Sequence, residues 1–543
     1  YLLEVDGIAY YDVKKDERHV LKQMYKEDVE PVFAYLMHKN CETMAVFNDG
    51  LFDYIPDHIM EKKKALAAVM ATMLIASSLT ACGGTKDTEN MDASQTSSAQ
   101  TQAVSLDGDK TTTVKTVKMG DNDVEVEVTD IGKTGTFTFW SAYTGDSAIW
   151  EQKRVDAFNE AYADLGIKCD LQFVPDGAGI NNGKLLSAIA GGTAPDLIVT
   201  DNSISCYQYA AEGSFMGLDA VLDEIDLDVS SFFEGCKDVM YYNDVCYLIP
   251  QDTNVIMLYY NPEIAKECGL DPENPPKTIE ELDSWSDAMA VKAADGSYDR
   301  LGIVPWLDSG NDAFVLPYLF GADPYDKATG KVDLTSDKML NYMAWIQGYA
   351  KKYDPEKINA FTSGLGQMFS PDHPFMTGKV GMTITGNWFS EALKEYAPDV
   401  PYKVCAVPVP EGGRANSTTF GTNVFAIPAG TDPDKAQLAA LFIKFAEQGS
   451  INEDNFSVWR SIPVIDAAFD DVSLTKNGDE MYALERKIAN SPENGIPALC
   501  SVSAELSNQF IALRQNMIYN PDADAKAALQ TLQDQMQATM DAK

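Results

Sequence analysis

From Thr136 onward, apolar and polar residues fall into short periodic runs. Thr136–Trp140 (TFTFW) has the pattern of a buried first strand. A helix is predicted from about Ala148, with Asp146 or Ser147 as N-cap and Val155, Phe158, Tyr162 and Leu165 on one face. Gly166 ends it. Lys168–Val174 reads as a second strand, Lys184–Ala190 as a short helix before Gly191-Gly192, and Asp196–Thr200 as a third strand. Strands and helices alternating at this spacing predict an α/β domain with a mostly parallel sheet. The C-terminus is helical. Leu499, Val502, Leu506, Phe510, Leu513 and Met517 recur at steps of three and four, Asn520-Pro521-Asp522 breaks the run, and Ala525, Leu529, Leu532, Met536 and Met540 mark a last helix. Residues 111–131 alternate Val with polar residues and predict a two-stranded ribbon.

A different pattern starts at Met60, MEKKKALAAVMATMLIASSLTACGG. Lys62, Lys63 and Lys64 form a basic n-region, residues 65–81 a small-residue apolar stretch, and Leu79-Thr80-Ala81-Cys82 resembles a bacterial lipobox. That order is a secretion signal. A membrane span needs ~20 strongly apolar residues, and this stretch is short and rich in Ala, Ser and Thr. The expectation is a signal peptide over 60–81, a lipid anchor on Cys82, and residues 1–59 as an upstream extension outside the mature protein. After Cys82, GGTKDTENMDASQTSSAQTQAV has almost nothing to bury and reads as a tether.

Charge and composition narrow the function. The 543 residues hold 42 Lys+Arg against 82 Asp+Glu, a net charge of −40, so nucleic acid is not an expected partner. The four histidines are His19, His38, His58 and His373. One histidine after residue 58 leaves little for a catalytic triad or a multi-histidine zinc site, and neither GxSxG nor HExxH occurs. Residues 176–184 (DGAGINNGK) miss both the dinucleotide fingerprint and the P-loop and read as a plain βα loop. Asp121, Asp123 and Glu125 lack the spacing of a calcium loop and read as a solvated turn. No metal and no cofactor is expected. Beyond Cys41 and Cys82, the seven scattered cysteines show no CxxC and read mostly as buried thiols, with Cys236 and Cys246 flanking a hairpin turn at Tyr242-Asn243-Asp244 as one pair that a disulfide could join.

Several segments together resemble a known family. TFTFWSAYTGDSAIWEQKRVDAFNEAY, GKLLSAIAGGTAPDLIVTDN, YLIPQDTNVIMLYYN with PPKTIEELDSW, FMTGKVGMTITGNWF and FGTNVFAIPAGTDPDKAQLAALFIKF are similar, in order and spacing, to the extracellular solute-binding proteins of bacterial ABC transporters. The likeness is to the sugar-binding group typified by maltose-binding protein, and it covers about residues 134–543. It implies a two-lobed, type II periplasmic-binding-protein-like α/β fold, with lobe one over 134–250 plus 420–458 and lobe two over 251–419 plus 459–543. Residues 82–133 would be the lipidated tether and ribbon.

The resemblance further implies a monomer that closes on a carbohydrate by hinge motion. It would deliver the solute to the permease subunits of an ABC importer from the outer face of the cell membrane. A sugar site pairs aromatic faces with polar groups for hydroxyls. The expected ligand-binding residues at strand ends and crossings are Trp140, Tyr143, Asp201, Asn202, Asp252, Asn254, Trp306, Trp388, Asn423, Trp459 and Arg460. Trp150, Trp285 and Trp345 fall on predicted helices and read as core. Alternatives are the same fold binding a polyamine, sugar phosphate or peptide, and a secreted glycoside hydrolase or lyase using paired carboxylates.

Overall fold

The computed structural model describes residues 110–174, 180, 183–363, 365–366, 369–451, 460–465 and 480–542, and the backbone of three short strands near the start. The signal peptide, Cys82, most of the tether, Trp459 and most of the 176–184 loop lie outside the described residues. The chain divides into two units, Tyr1–Ala99 and Gln100–Lys543. In the first, β1 (Leu2–Glu4), β2 (Ala9–Asp12) and β3 (Glu17–Val20) form an antiparallel sheet.

The second unit opens with the ribbon, β4 (Thr111–Met119) paired antiparallel to β5 (Asn122–Asp130). Gly120, at φ +63°, turns it. Alternation puts Val117, Met119, Val126 and Val128 on a buried face. That face meets two helices, α1 (Gly145–Tyr162) and, far along the chain, α7 (Pro433–Ala446). Past α7, Gln448 clamps the outer strand: the Glu127 N–H donates to its Oε1 (2.7 Å) and its Nε2 donates back to the Glu127 carbonyl (2.9 Å).

Lobe one is built on a six-stranded sheet. Its first strands are β6 (Gly135–Ser141), β7 (Ile167–Phe173) and β8 (Leu197–Thr200), with α1, α2 (Lys184–Ala190) and α3 (Ser203–Ala211) between and after them. Three more strands arrive later: β9 (Ile249–Thr253), β13 (Asn423–Ala426) and β14 (Ile462–Pro463). The order is β14-β9-β13-β8-β6-β7. Pairing is parallel at β6-β7 and β6-β8, and antiparallel at β8-β13, β13-β9 and β9-β14. The sheet is mixed, and the expected parallel majority is corrected: β9 runs with β6, β7 and β8, but β13 inserts between β8 and β9 in the opposite direction and β14 pairs antiparallel on the far side of β9. Phe137 and Phe139 pack on Phe158, Phe425 and Phe442 at ring distances of 5.0–6.3 Å. The cap of α1 also differs from expectation. The helix starts at Gly145 with Thr144 as N-cap, and no side chain caps it.

Lobe two centres on β10 (Ile256–Tyr260), flanked antiparallel by β11 (Met382–Gly386) and β12 (Lys403–Ala406). Between Thr253 and Ile256 the chain passes directly from the first sheet to the second. Around the second sheet lie α4 (Ile279–Met289), α5 (Asp337–Tyr353), α6 (Phe389–Tyr396), α8 (Glu480–Ala489), α9 (Ser503–Tyr519) and α10 (Ala525–Asp541). Thr278 and Glu281 form a capping box on α4. Trp150 and Trp285 are buried, and the Trp345 indole donates to Asp283 (3.1 Å), so these three serve packing. Cys236 and Cys246 are buried free thiols. The hairpin beside them turns at Asn243 and Asp244, both at positive φ.

Candidate functional site

The two sheets face each other across a cleft of about 900 Å³. Strand ends supply its walls. Tyr143 follows β6, Asp201 follows β8, and the first turn of α1 adds Asp146. Asp252 and Asn254 come from the crossing, and Asn423 starts β13. Lobe two contributes Asn387 and Trp388 after β11, Tyr396 at the end of α6, and Asp312 and Phe369 from loops. A second cavity of about 480 Å³ shares Asn254, Asp312, Trp388 and Gly421 with the first and extends the cleft.

A buried polar chain holds the lobe-one wall. The Arg154 guanidinium, fully buried, donates to Glu151 (2.7 Å) and to the Gln251 Oε1 (2.7 Å). Gln251 then donates from Nε2 to the Tyr143 hydroxyl (2.8 Å) and to Asp252 (3.0 Å). Asn423 donates to the other Asp252 oxygen (2.6 Å). Each member fixes the next, so the groups facing the cleft are pre-positioned. Burial, with the Asp252 carboxylate nearby, pushes the Tyr143 phenol well above its usual value, so it stays a neutral hydroxyl. Asn254 donates from Nδ2 to the Gly421 carbonyl (2.7 Å), which leaves its Oδ1 as a buried acceptor without a protein partner. Ser507 Oγ, at the wall of the second cavity, is likewise buried and unpartnered in the protein.

The lobe-two wall is built around Trp388. The sequence Gly386-Asn387-Trp388 runs from β11 into α6. Asn387 locks to the crossing through its N–H to Val255 O (3.0 Å) and its side chain to Arg460 O (2.6 Å). The half-buried Trp388 indole folds back over Gly386, where any Cβ would lie 2.0 Å from its ring. Asp312 sits among protein groups that push its carboxyl up to about 6. Burial outweighs the nearby Arg514 charge, and Asp308 adds to the rise.

The structure gathers Tyr143, Asp201, Asp252, Asn254, Trp388, Asn423 and Arg460 around one cavity. Asn202 lines its extension while capping α3 through Ser205 N–H (3.0 Å). Two expected residues lie elsewhere. Trp140 lines neither cavity of the cleft; its indole donates to Gln172 (3.1 Å) and lies under the Lys184 ammonium. Strand alternation explains this, since Trp140 points away from the face of Phe137 and Phe139 and ends up beside α2. Trp306 lines a separate cavity of about 230 Å³ and meets Tyr349 edge-on. Arg460, at φ +55°, is turned into a buried pair with Glu485 on α8 (Nε to Oε1, 2.8 Å) and so ties the crossing to lobe two.

Sequence reasoning missed Asp146, Asp312, Phe369, Asn387, Glu395 and Tyr396. Glu395 and Tyr396 stand seven and eight residues after Trp388, one face of a helix, and that signal was available. Asp312 and Phe369 sit in loops with no periodicity. Among the described residues no group of three or more His, Cys, Asp or Glu side chains is placed to hold a metal. No described helix is long and apolar enough to cross a membrane.

Two mixed α/β lobes joined by crossing strands around an open cleft define the type II fold of periplasmic binding proteins. A family model described as bacterial extracellular solute-binding protein matches residues 153–481. The chain belongs to this family, whose members are binding proteins acting outside the cytoplasm. The arabinooligosaccharide-binding protein of Halalkalibacterium halodurans is 25% identical over 326 residues, 59% of this chain and 68% of that one. The sn-glycerol-3-phosphate-binding periplasmic protein of Escherichia coli (strain K12) is 23% identical over 355 residues, 62% of this chain and 75% of that one. Among solved structures, CpMnBP1 with mannobiose bound matches at TM-score 0.65 and 27% identity, covering 74% of this chain and 98% of that one.

Proposed function

We propose that this protein captures a carbohydrate of two or more rings in its cleft, closes on it, and delivers it to the membrane subunits of an ABC importer. The observation that carries the reading is the cleft itself. Aromatic faces at Tyr143, Trp388 and Tyr396 stand beside fixed polar groups at Asp252, Asn254 and Asn423. Stacking on ring C–H faces and pairing of hydroxyls need that combination. A buried acceptor without a partner, Asn254 Oδ1, costs about 1–3 kcal/mol, and a hydroxyl arriving as the crossing adjusts would remove that cost. The adjoining volumes of about 900 and 480 Å³ suit more than one ring. The relatives named for arabinooligosaccharide and mannobiose support the same class.

In this reading Tyr143, Asp201, Asp252, Asn254, Trp388 and Asn423 contact solute, while Asn202 and Arg460 shape the walls. The lobes divide near the expected crossings, the protein acts as a monomer, and Cys82 carries the lipid anchor. A thermal-shift and calorimetric screen against neutral oligosaccharides tests it. Saturation at 100 times Kd adds about 2.7 kcal/mol of stability, and Trp388→Ala weakens binding while leaving the fold intact. Stabilisation by another solute class and by no carbohydrate would remove the reading. Turnover of a bound oligosaccharide would replace it with the hydrolase alternative.

A further inference from the structure

We infer that the cleft is also a charge filter: it accepts uncharged sugars and turns away phosphorylated and uronic ones. The inference rests on the carbohydrate reading and adds what kind of carbohydrate. Asp146, Asp201, Asp252, Asp312 and Glu395 line the main cavity, against Arg460 as the one basic residue among the described lining residues. The Arg460 charge is already met by the buried Glu485 carboxylate. Among the described residues no lysine, arginine or histidine lines the adjoining cavity.

The five acids come from both lobes. Asp146, Asp201 and Asp252 belong to the wall of the first sheet, and Asp312 and Glu395 to that of the second. Hinge closure therefore brings two negative walls toward whatever lies between them. Charges confined between protein walls interact more strongly than in open water. The amides on Asp252 satisfy its oxygens but do not cancel its charge. One feature acts the other way. The uncapped N-terminus of α1 faces the cleft, with an effective charge of about +0.5. Asp146 stands in that same turn and offsets it.

Hydrogen-bond valence points the same way. Ionised carboxylates and Asn254 Oδ1 are acceptors. Sugar hydroxyls donate to acceptors, whereas phosphate and carboxylate groups bring more acceptors and no donor. The same side chains thus attract a neutral sugar and repel its anionic analogue, which is how selectivity by repulsion is built. On this reading the chain does not share the ligand for which its sn-glycerol-3-phosphate-binding relative is named.

The test is calorimetry on the whole protein with three probes: mannobiose, its uronic form with the C6 hydroxymethyl oxidised to carboxylate, and sn-glycerol 3-phosphate. Both anions are expected to bind at least tenfold more weakly than mannobiose, with the gap narrowing at high salt. Asp146→Asn with Glu395→Gln is expected to narrow it further, read as the ratio of the two affinities. An anion that matches or exceeds mannobiose in the wild type would overturn the filter and leave the carbohydrate reading standing. An uncharged non-sugar that binds while its anionic analogue is refused would remove the carbohydrate reading and keep the filter. A gap that ignores both salt and the double substitution would assign the discrimination to shape and overturn the inference.

Discussion

Gly386→Ala is a one-carbon perturbation aimed at the cleft from behind. A Cβ at this position would lie 2.0, 2.2 and 2.3 Å from three carbons of the Trp388 ring, where ordinary contact begins near 3.4 Å. The indole must retreat by roughly 1.4 Å, the difference between those limits, or the strand must shift. The strand resists, because Gly386 is in register with Ile256 and Asn387 is bonded to the crossing. Trp388 therefore moves, and under the proposed function the aromatic stacked on the sugar loses its registry. Overpacking costs about 1–3 kcal/mol of stability. Misplacing the stacked ring costs about 0.5–1.5 kcal/mol of binding, a weakening of roughly 2- to 12-fold in Kd. Calorimetry with mannobiose gives Kd, and tryptophan fluorescence reports the ring. Trp388→Ala and the double variant close a cycle, in which Gly386→Ala adds nothing once the indole is gone. Gly348→Ala is the control: it lies on α5, has no atom within 4 Å of its would-be Cβ, and should gain about 0.5–1 kcal/mol as a helix-interior alanine. An unchanged Kd with altered fluorescence would refute the placement of Trp388 on the solute. Unchanged fluorescence would refute the steric reasoning.

Three further outcomes follow from the geometry. Glu485→Ala leaves the Arg460 guanidinium buried without its carboxylate (side-chain exposures 0% and 7%) and should cost about 3–5 kcal/mol in denaturant unfolding; adding Arg460→Met should recover most of it. Asp312, raised to about 6 chiefly by burial, is a carboxylate acceptor above that pH and protonated below it. Affinity for a neutral sugar should therefore fall as pH drops from 7 to 5, and Asp312→Asn should flatten the profile. Gln448→Ala removes both bonds to Glu127, about 1 kcal/mol each. It should speed amide exchange in the ribbon, with mannobiose affinity unchanged.

Local pattern made much of this fold legible, because strand and helix periods are local properties. Lys184–Ala190 is a helix with the expected bounds, and the break at Asn520-Pro521-Asp522 separates α9 from α10. What the pattern lacked was pairing between distant strands. The antiparallel half of the first sheet joins Asp252 to Asn423 and Pro463, and no local signal carries that. The site divides the same way. Tyr143, Asp252 and Trp388 stand at ends of predictable elements and do line the cleft. Trp140 was placed by position in the strand when alternation had already aimed it at the other face. Asp312 and Phe369 reach the cleft through loop geometry set by packing.

The ribbon also decides which lobe is the fixed frame. Its apolar face is sealed onto α1, Lys115 donates to the Ala161 carbonyl (2.7 Å), and Gln448 and Ser450 hold its outer strand. All these partners belong to the first sheet's side of the molecule. Any force arriving along the chain ahead of Thr111 is thus spent on lobe one and bypasses the crossings. In the proposed mechanism lobe two is then the part that swings, and a pull on the chain ahead of Thr111 would neither open nor shut the cleft.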